Sequence, residues 1–443
     1  MAKQNSNSTQ GGRSFVGTIL GVLLLGAAVL FSQYTGIDLV SMLTGGETTS
    51  IAPTQAGATN PTRVPATRVP ATSSSASSAT RPPSVGSPTR PPSVGSTAVA
   101  AAPTGVTTLP VGLGFGAQKG FWTLYFNAPS GSNVASTYVN GIDVPLAQAI
   151  DGVQRTLDIV AFEFNNVVLT EAVLNAHERG VQVRIVTDDE HGLEEEDESI
   201  PRFIEAGIPV VDDNRSALMH DKFMILDSQV VWTGSWNYTV NDTYRNNNNT
   251  IAFRSQRAVQ AYQAEFDEMF LRGEFGPRST EGVTEFTQDG VAIKILFAAE
   301  DPVIPEVVSQ INSAQNNIRF LAFSFTQDDM GQAILARAAA GVNVQGVFET
   351  TGSQTASAEL RPMYCAGLNV RQDGNRYVLH HKVVIIDDHT VVTGSFNFSA
   401  SATESNDENL LVIRDPDLAA LYIQEFERRF AESRLPDPAD MGC

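Results

Sequence analysis

Two stretches of the chain, 160 residues apart, carry the same six residue types at the same spacing. A neutral imidazole can attack phosphorus, and a protonated imidazole can give its proton to a departing alkoxide. Lysine ammonium groups, hydroxyls and amides can neutralise and position phosphate oxygens. The duplicated spacing therefore predicts one phosphodiester site that needs one histidine from each copy. The copies are His220, Lys222, Asp227, Gly234, Ser235 and Asn237, and His380, Lys382, Asp387, Gly394, Ser395 and Asn397.

The predicted chemistry needs no cofactor and no metal ion, and the sequence has no Cys/His cluster with the spacing of a zinc site. A lone histidine is more often a structural residue than a catalyst, and an isolated His-x-Lys pair means little. Six positions that recur twice within a longer repeat argue against coincidence. The alternative interpretation is a retained fold without activity, serving as an interaction module.

An apolar run follows each motif histidine, at 223–226 and at 383–386, and such runs are typical of buried strands. Residues i and i+2 of a strand face the same way, so His220 shares a face with Lys222. The same rule pairs the other histidine with its lysine and each motif serine with its asparagine. Asp227 and Asp387 open the following turns, and we assign them to turn capping or an internal ion pair rather than to attack on the substrate.

The repeat extends well beyond the motifs. Residues 157–164 match 318–325, and 172–183 match 333–344. Each half is predicted as strand, helix, strand, helix, strand, strand pair and helix, and Gly180 is predicted to end the second helix of its half. Alternating strands and helices imply a mixed α/β sheet covered by helices.

At the motif residues the chain resembles the phospholipase D superfamily, whose signature is His-x-Lys-x4-Asp followed by Gly-Ser-x-Asn. Both copies match in full, and the resemblance spans roughly 115–435. It implies two repeated α/β/α halves with pseudo-twofold symmetry and an active site at their interface. It also implies metal-independent hydrolysis or transfer through a phosphohistidine. The family includes phospholipases, cardiolipin synthase-like transferases, phosphatidylserine synthases and nucleases. The resemblance therefore limits the type of reaction more than it limits the substrate.

Family members often hold the histidine with a carboxylate eleven residues after the motif asparagine. The second half keeps it as Glu408, whereas the first half has Asn248 at that point. A carboxylate behind an imidazole stabilises its protonated form, and an amide only orients the ring. We therefore expect His380 to be the more basic histidine and the proton donor. His220 is then the neutral nucleophile, in agreement with the family's usual assignment to the N-terminal copy.

The N-terminal part of the chain has a different composition from the body. Residues 15–37 carry no charge, so we predict a cytoplasmic tail over 1–13 and a transmembrane anchor over 14–37, or alternatively a cleaved signal. A disordered linker rich in Ser, Thr, Pro and Ala follows over 38–108. The predicted phospholipase D-like halves are 109–280 and 281–435, with a tail over 436–443. The body is then extracytoplasmic, or secreted if the signal is cleaved.

Charge constrains the substrate. The chain has 29 Lys and Arg against 49 Asp and Glu; only six and two of these precede residue 109, so the body carries 23 against 47. Such a body repels polyanions, which makes nucleic acid an unlikely partner although a local basic groove would change this. The acidic segment 188–198 is either a solvated loop or a surface that repels polyanions or attracts cationic head groups. A calcium site is a further alternative, although the spacing matches no known calcium-binding loop.

The aromatic neighbours of the motifs, Trp232, Trp236, Phe396 and Phe398, either face a lipid or belong to the core. Cys365 and Cys443 either pair or stay free. We expect a membrane-anchored phosphodiesterase of phospholipase D type acting on a phosphodiester, with a phospholipid as the favoured substrate. The alternatives are a phosphatidyltransferase that uses an alcohol acceptor and a surface nuclease. The sequence does not predict the head group, the acceptor or the oligomeric state.

Overall fold

The computed structural model describes residues 105–194, 199–280 and 282–443. The predicted tail, anchor and nearly all of the predicted linker lie outside the described residues. Within the described ranges, no helix combines the length and the apolar character that crossing a bilayer requires.

Half 1 is built on a sheet of nine strands among the described residues. Three neighbouring strands run parallel, and the other pairs are antiparallel. In spatial order the strands are β1 (Thr107–Leu109), β2 (Gly114–Lys119), β3 (Trp122–Asn127), β9 (Asn249–Phe253), β8 (Val230–Gly234), β7 (Lys222–Leu226), β4 (Thr156–Ala161), β5 (Gln182–Thr187) and β6 (Val210–Asp212).

Half 2 repeats this order without a counterpart of β1 in the part of the chain that the structure describes. Its parallel strands again lie at one edge of the sheet. In spatial order the strands are β10 (Thr284–Gln288), β11 (Val291–Ala298), β17 (Glu408–Arg414), β16 (Thr390–Gly394), β15 (Lys382–Ile386), β12 (Asn317–Ala322), β13 (Asn343–Phe348) and β14 (Asn369–Gln372). The predicted mixed α/β sheets and the internal repeat are confirmed.

Helices cover the outer face of each sheet and fill the space between the halves. Leu146, Val173 and Phe203 pack on the outer face of the first sheet, and a similar layer covers the second. The central core instead combines residues of both sheets with Tyr262 and Tyr422. The helices are α1 (Asp143–Asp151), α2 (Val167–Glu178), α3 (Ile200–Glu205), α4 (Val240–Tyr244), α5 (Gln256–Asp267), α6 (Val303–Ser313), α7 (Asp328–Ala339), α8 (Leu360–Cys365), α9 (Ala400–Glu404), α10 (Pro416–Glu432) and α11 (Pro438–Met441).

Local signals explain where α2 begins and ends. The side chain of Asn166 caps the first turn by accepting a hydrogen bond from the backbone N–H of Leu169. Gly180 follows the helix with φ at +90°, a left-handed conformation that favours glycine. The predicted end of this helix is therefore confirmed.

The structure differs from the predicted domain boundaries at two places. The first strand begins at Thr107, inside the predicted linker, because it pairs with β2 along the edge of the sheet. The predicted tail contains α11, and a disulfide joins Cys443 to Cys365. The second half therefore extends to the last residue, and the two cysteines are paired rather than free.

Candidate active site

Backbone pairing between the halves places the two motif histidines. The backbone N–H of His220 donates to the carbonyl of Asp407 at 3.0 Å, and that of His380 donates to the carbonyl of Asn247 at 2.9 Å. Short bridges on either side join Met219 to Asp407 and Asn247 to Leu379. Each histidine therefore lies against the segment that leads into the last strand of the opposite half.

The imidazole of each histidine is also held from the opposite half. The Nδ1 atom of His220 lies 2.7 Å from Oε2 of Glu408. The Nδ1 atom of His380 lies 2.9 Å from Oδ1 of Asn248 and 3.3 Å from Oδ2 of Asp242. With Nδ1 occupied in both rings, Nε2 is the nitrogen left to meet a phosphorus atom or a leaving group.

The expectation that Glu408 serves the histidine of its own half is wrong. Glu408 begins β17, and the residues just before it pair with the residues around His220. The crossing of backbone segments delivers the carboxylate to His220 and the equivalent amide, Asn248, to His380. Sequence spacing gave the correct residue, but the partner depends on which segments pair in three dimensions.

The two motif lysines are buried, each 1% exposed. Their ammonium groups donate to the carbonyls of the motif histidines, at 2.6 Å in half 1 and 2.9 Å in half 2. Phe162 and Phe323 lie at equivalent points of the repeat, and each ring packs against the lysine and the histidine of its half. These contacts hold the two ammonium groups in a buried site, where an anion would interact with them strongly.

Burial and mutual repulsion shift the pKa values of the two lysines. Burial lowers the pKa of Lys222 to about 8, against the raising effect of Glu408 and Glu163. Burial, together with the charge of Lys222, lowers the pKa of Lys382 well below its ordinary value. An anionic phosphodiester would oppose both shifts, because its charge stabilises the protonated lysines.

Burial lowers the pKa values of both histidines, but not equally. Burial and the charge of Lys382 lower the pKa of His380 to about 4, and the charge of Asp242 partly offsets this fall. The pKa of His220 falls well below its ordinary value through burial and the charges of Lys222 and Lys382. His380 is therefore the more basic ring, as expected, although the carboxylate responsible is Asp242 rather than Glu408.

The motif serines and asparagines complete the site. Ser235 donates to Oδ1 of Asn248 at 2.8 Å, and Ser395 accepts from the backbone N–H of Asn409 at 2.9 Å. Nδ2 of Asn237 donates to Glu163 at 3.2 Å. Among the described residues, the buried Oδ1 atoms of Asn237 and Asn397 have no hydrogen-bond partner. The two amides are thus incompletely hydrogen-bonded.

The motif aspartates lie at the other ends of β7 and β15, away from the histidines. Asp227 accepts hydrogen bonds from the backbone N–H groups of three residues at the start of β4, at 2.7–3.1 Å. Asp387 accepts the equivalent three at the start of β12, at 2.7–2.9 Å. These bonds agree with the prediction that the aspartates cap turns.

The aromatic neighbours of the motifs belong to the core: Trp232, Trp236, Phe396 and Phe398 are all at most 5% exposed. They therefore give no support to a lipid substrate. His381 points away from the site, towards Glu425 at 3.3 Å, and its Nδ1 lies 3.1 Å from Nδ2 of Asn249. Asn249 and Asn409 make equivalent contacts with the opposite half, which adds to the pairing around the histidines.

One group of carboxylates in the described ranges has the geometry to hold a cation: Asp188, Asp189 and Asp213. Asp188 accepts hydrogen bonds from the backbone N–H groups of His191 and Met219, and Asp213 accepts from Asp189 and Arg215. These bonds account for the buried oxygens, so we assign no metal there. Part of the acidic segment, 195–198, lies outside the described residues.

Sequence reasoning missed Asp242, Glu163, Phe162 and Phe323. The two phenylalanines occur at equivalent places of the aligned repeat, a signal that comparison of the halves could have used. Asp242 and Glu163 are aligned with Ala402 and Ser324, so no repeated spacing marks them. Only packing shows that both carboxylates lie at the site.

A family model described as "Cardiolipin synthase, PLD-like domain" matches residues 146–270 and 307–430, together more than half of the chain. The chain belongs to this phospholipase D-like family. The two matched stretches contain the two motif copies, so the resemblance inferred from the motifs is confirmed.

Individual relatives match a length of about one repeat. A mitochondrial cardiolipin hydrolase from Xenopus tropicalis is 38% identical over 126 residues, which are 28% of this chain and 59% of that protein. A phospholipase D from Rickettsia conorii is 32% identical over 127 residues, which are 29% of this chain and 64% of that protein. The chain thus spans less than two thirds of either relative.

The solved structure of phosphatidylserine synthase from Haemophilus influenzae Rd KW20 shares the fold. It is 12% identical, and the match covers 66% of this chain and 85% of that one with a TM-score of 0.55. At this identity the likeness concerns the fold alone.

Proposed function

We propose that the protein is a phosphodiesterase of phospholipase D type that cleaves a phosphodiester, with a phospholipid as the substrate class. The observation that carries the proposal is the crossed support of two buried histidines, each held at Nδ1 by the opposite half, beside two buried lysines. A site of this composition suits a phosphate and two sequential proton transfers. The names of the cardiolipin hydrolase and phospholipase D relatives support a lipid substrate.

In the first step, Nε2 of neutral His220 attacks phosphorus, and the bond from phosphorus to the leaving oxygen breaks. His380, whose protonated form the negative charge of the bound phosphodiester favours, gives its proton to that oxygen, so the head group leaves as an alcohol. Lys222 and Lys382 balance the charge of the phosphate oxygens throughout, and Glu408 holds the Nδ1 proton of His220 so that Nε2 carries the lone pair.

In the second step, His380 takes a proton from water, which attacks phosphorus and breaks the phosphorus–nitrogen bond. The products are free His220, protonated His380 and a phosphomonoester. If an alcohol enters instead of water, the same intermediate yields a new phosphodiester. The family description as a cardiolipin synthase-like domain favours this phosphatidyl transfer as the second candidate.

The proposal is tested with the full chain in detergent and chelator, offered cardiolipin, phosphatidylglycerol, phosphatidylcholine and single-stranded DNA in turn. Head-group release without DNA cleavage supports it, and product formed only with added alcohol would replace hydrolysis by transfer. DNA cleavage alone, or no turnover of any substrate, would overturn it. His220→Ala and His380→Ala serve as matched controls for a contaminating enzyme.

Rapid denaturation in SDS at alkaline pH, where the phosphorus–nitrogen bond survives, tests the intermediate with 32P-labelled phospholipid. We expect label on His220 in the wild-type chain and its accumulation when His380 is replaced and the leaving group is activated. Label on His380 instead would reverse the two roles.

We also propose that residues 14–37 anchor the chain and that the body faces an oxidising, extracytoplasmic compartment. The uncharged segment and the charges that flank it support the anchor. The Cys365–Cys443 disulfide supports the compartment, because such bonds persist where thiols are not kept reduced. Alkylation of the denatured chain without reductant should leave both cysteines unlabelled, and labelling of both in cells would contradict the location.

A further inference from the structure

Asp242 lies in α4 of half 1, next to the imidazole of half 2. The side chain of Thr239 caps this short helix and accepts from the backbone N–H of Asp242 at 3.1 Å. Oδ2 of the aspartate lies 3.3 Å from Nδ1 of His380, and the residue is 2% exposed. A carboxylate this close to an imidazole in a buried site interacts with it strongly when both are charged.

The repeat shows that this carboxylate has no counterpart. Asp242 is aligned with Ala402, and Asn248 is aligned with Glu408. Half 2 thus places its carboxylate, Glu408, in direct contact with His220, and this residue lies eleven positions after the motif asparagine. Half 1 has an amide at that position and carries its carboxylate six residues earlier. Each histidine has one carboxylate neighbour, but the two come from different points of the repeat.

The pKa values of the two supporting carboxyls shift in opposite directions. Burial raises the pKa of Glu408 to about 8, although the charges of Lys222 and Lys382 oppose the rise. Burial acts in the same direction on Asp242, but the imidazole of His380 and hydrogen bonds from Asn246 and Asn237 outweigh it and hold the pKa below its ordinary value. Asp242 is therefore a full negative charge beside His380.

The charged groups around His380 come from both halves. Lys382 follows it two residues later in half 2, and Lys222 approaches from half 1; both disfavour a proton on the ring. Asn248 is neutral and orients the ring without adding charge. Asp242 is the largest of the influences that favour a proton on this ring.

We propose that Asp242 is a positioning residue for the proton-donor histidine: it supplies, from α4, the negative charge that position 248 lacks, while Asn248 fixes the ring. The proposal rests on the proposed function for its catalytic meaning. The contact between Asp242 and His380 is present without substrate. Its effect on the pKa of His380 can therefore be tested without measuring activity.

The first test is an NMR titration of the histidines in the full chain, labelled with 15N in the imidazoles. Asp242→Asn keeps an amide able to accept from Asn237 but removes the charge. We expect the pKa of His380 to fall by about one unit or more in this variant, with little change for His220, because an opposite charge at this distance shifts a pKa by roughly 1–3 units. An unchanged His380 titration in a folded Asp242→Asn chain would overturn the proposal.

The second test moves the carboxylate back. The double variant Asp242→Ala/Asn248→Glu places the carboxylate at the position equivalent to Glu408. We expect the pKa of His380 to return most of the way to its wild-type value in this variant. The matched control in half 2, Ala402→Asp/Glu408→Asn, exchanges the same positions around His220 and should leave His380 unaffected. A purely structural role for Asp242 predicts no recovery by Glu at 248, and that result would refute the link.

A third measurement uses the unaltered protein, in case the variants do not fold. With 13Cγ-labelled aspartate, the Asp242 carboxylate should remain ionised and its signal should follow the titration of His380. A signal that titrates at an ordinary carboxyl pKa, or ignores His380, would contradict the proposal. If these results hold but the wild-type chain turns over no phosphodiester, the proposed function fails while the positioning link stands.

Measurements of activity then test whether the contact between Asp242 and His380 affects catalysis. On a phospholipid with an alkyl leaving group, Asp242→Asn should lose about tenfold in kcat, the change that one pKa unit makes in the protonated fraction of His380. The same variant should lose little on a p-nitrophenyl phosphodiester, since nitrophenolate departs without a proton. Equal losses on both substrates would indicate a role other than support of the proton donor.

Discussion

His220 and His380 occupy equivalent places in two halves with the same strand order, but their surroundings are not equivalent. His220 has a buried glutamate in direct contact, whereas His380 has an amide in contact and an aspartate slightly farther away. The duplicated motif residues supply the same groups twice. Residues outside the motif, Glu408, Asn248 and Asp242, make one histidine different from the other. The comparison shows that a symmetric signature can carry two distinct roles.

The largest test of this difference replaces each histidine in turn. His220→Ala should reduce turnover by roughly a thousandfold or more with every substrate, because no other group can form the intermediate. His380→Ala should lose about a hundredfold to ten-thousandfold with an alkyl leaving group, and far less with p-nitrophenolate. The measurement is kcat on paired substrates; the reverse pattern would exchange the two roles.

Glu408→Gln tests the crossed support of the nucleophile. We expect a loss of roughly tenfold to a hundredfold, the value of one hydrogen bond to a charged group, because the glutamate stabilises charge on His220 as the phosphorus–nitrogen bond forms. The loss should be similar for good and poor leaving groups, in contrast to that of Asp242→Asn. A loss confined to poor leaving groups would mean that Glu408 serves His380, as sequence spacing alone suggested.

The smallest effects should come from a feature in which the halves agree. Asp227→Asn and Asp387→Asn each weaken three backbone hydrogen bonds, and each should lower the free energy of unfolding by about 1–2 kcal/mol at pH 7. Urea unfolding measures both. A large difference between the two variants would show that the symmetry of these turns is only apparent.

The same two aspartates give a pH dependence with a definite sign. Although partial burial opposes it, backbone N–H groups hold the pKa of each carboxyl below its ordinary value. Their contribution is thus complete above the unfolded-state pKa of roughly 4 and is lost as the pH falls through the lower folded-state value. Wild type and variants should therefore converge in stability in acid, and a gap that persists there would contradict this account.

Much of the fold and part of the site were predictable. The apolar runs 223–226 and 383–386 predicted β7 and β15, and Gly180 predicted the end of α2, because local periodicity and backbone freedom decide such elements. The strand prediction missed β9 and β17, which follow polar Asn-rich segments rather than clear turn signals. That omission concealed the segments that cross between the halves.

The sequence by itself determined the two motif copies, the repeat that contains them and the class of chemistry their side chains support, because these depend on residue types and local spacing. Only the tertiary structure decided that Glu408 serves His220, that Asp242 lies beside His380 and that Cys365 pairs with Cys443. Those contacts join residues 78 to 188 positions apart, two of them between the halves and the disulfide within half 2. No local pattern records which distant segments will meet.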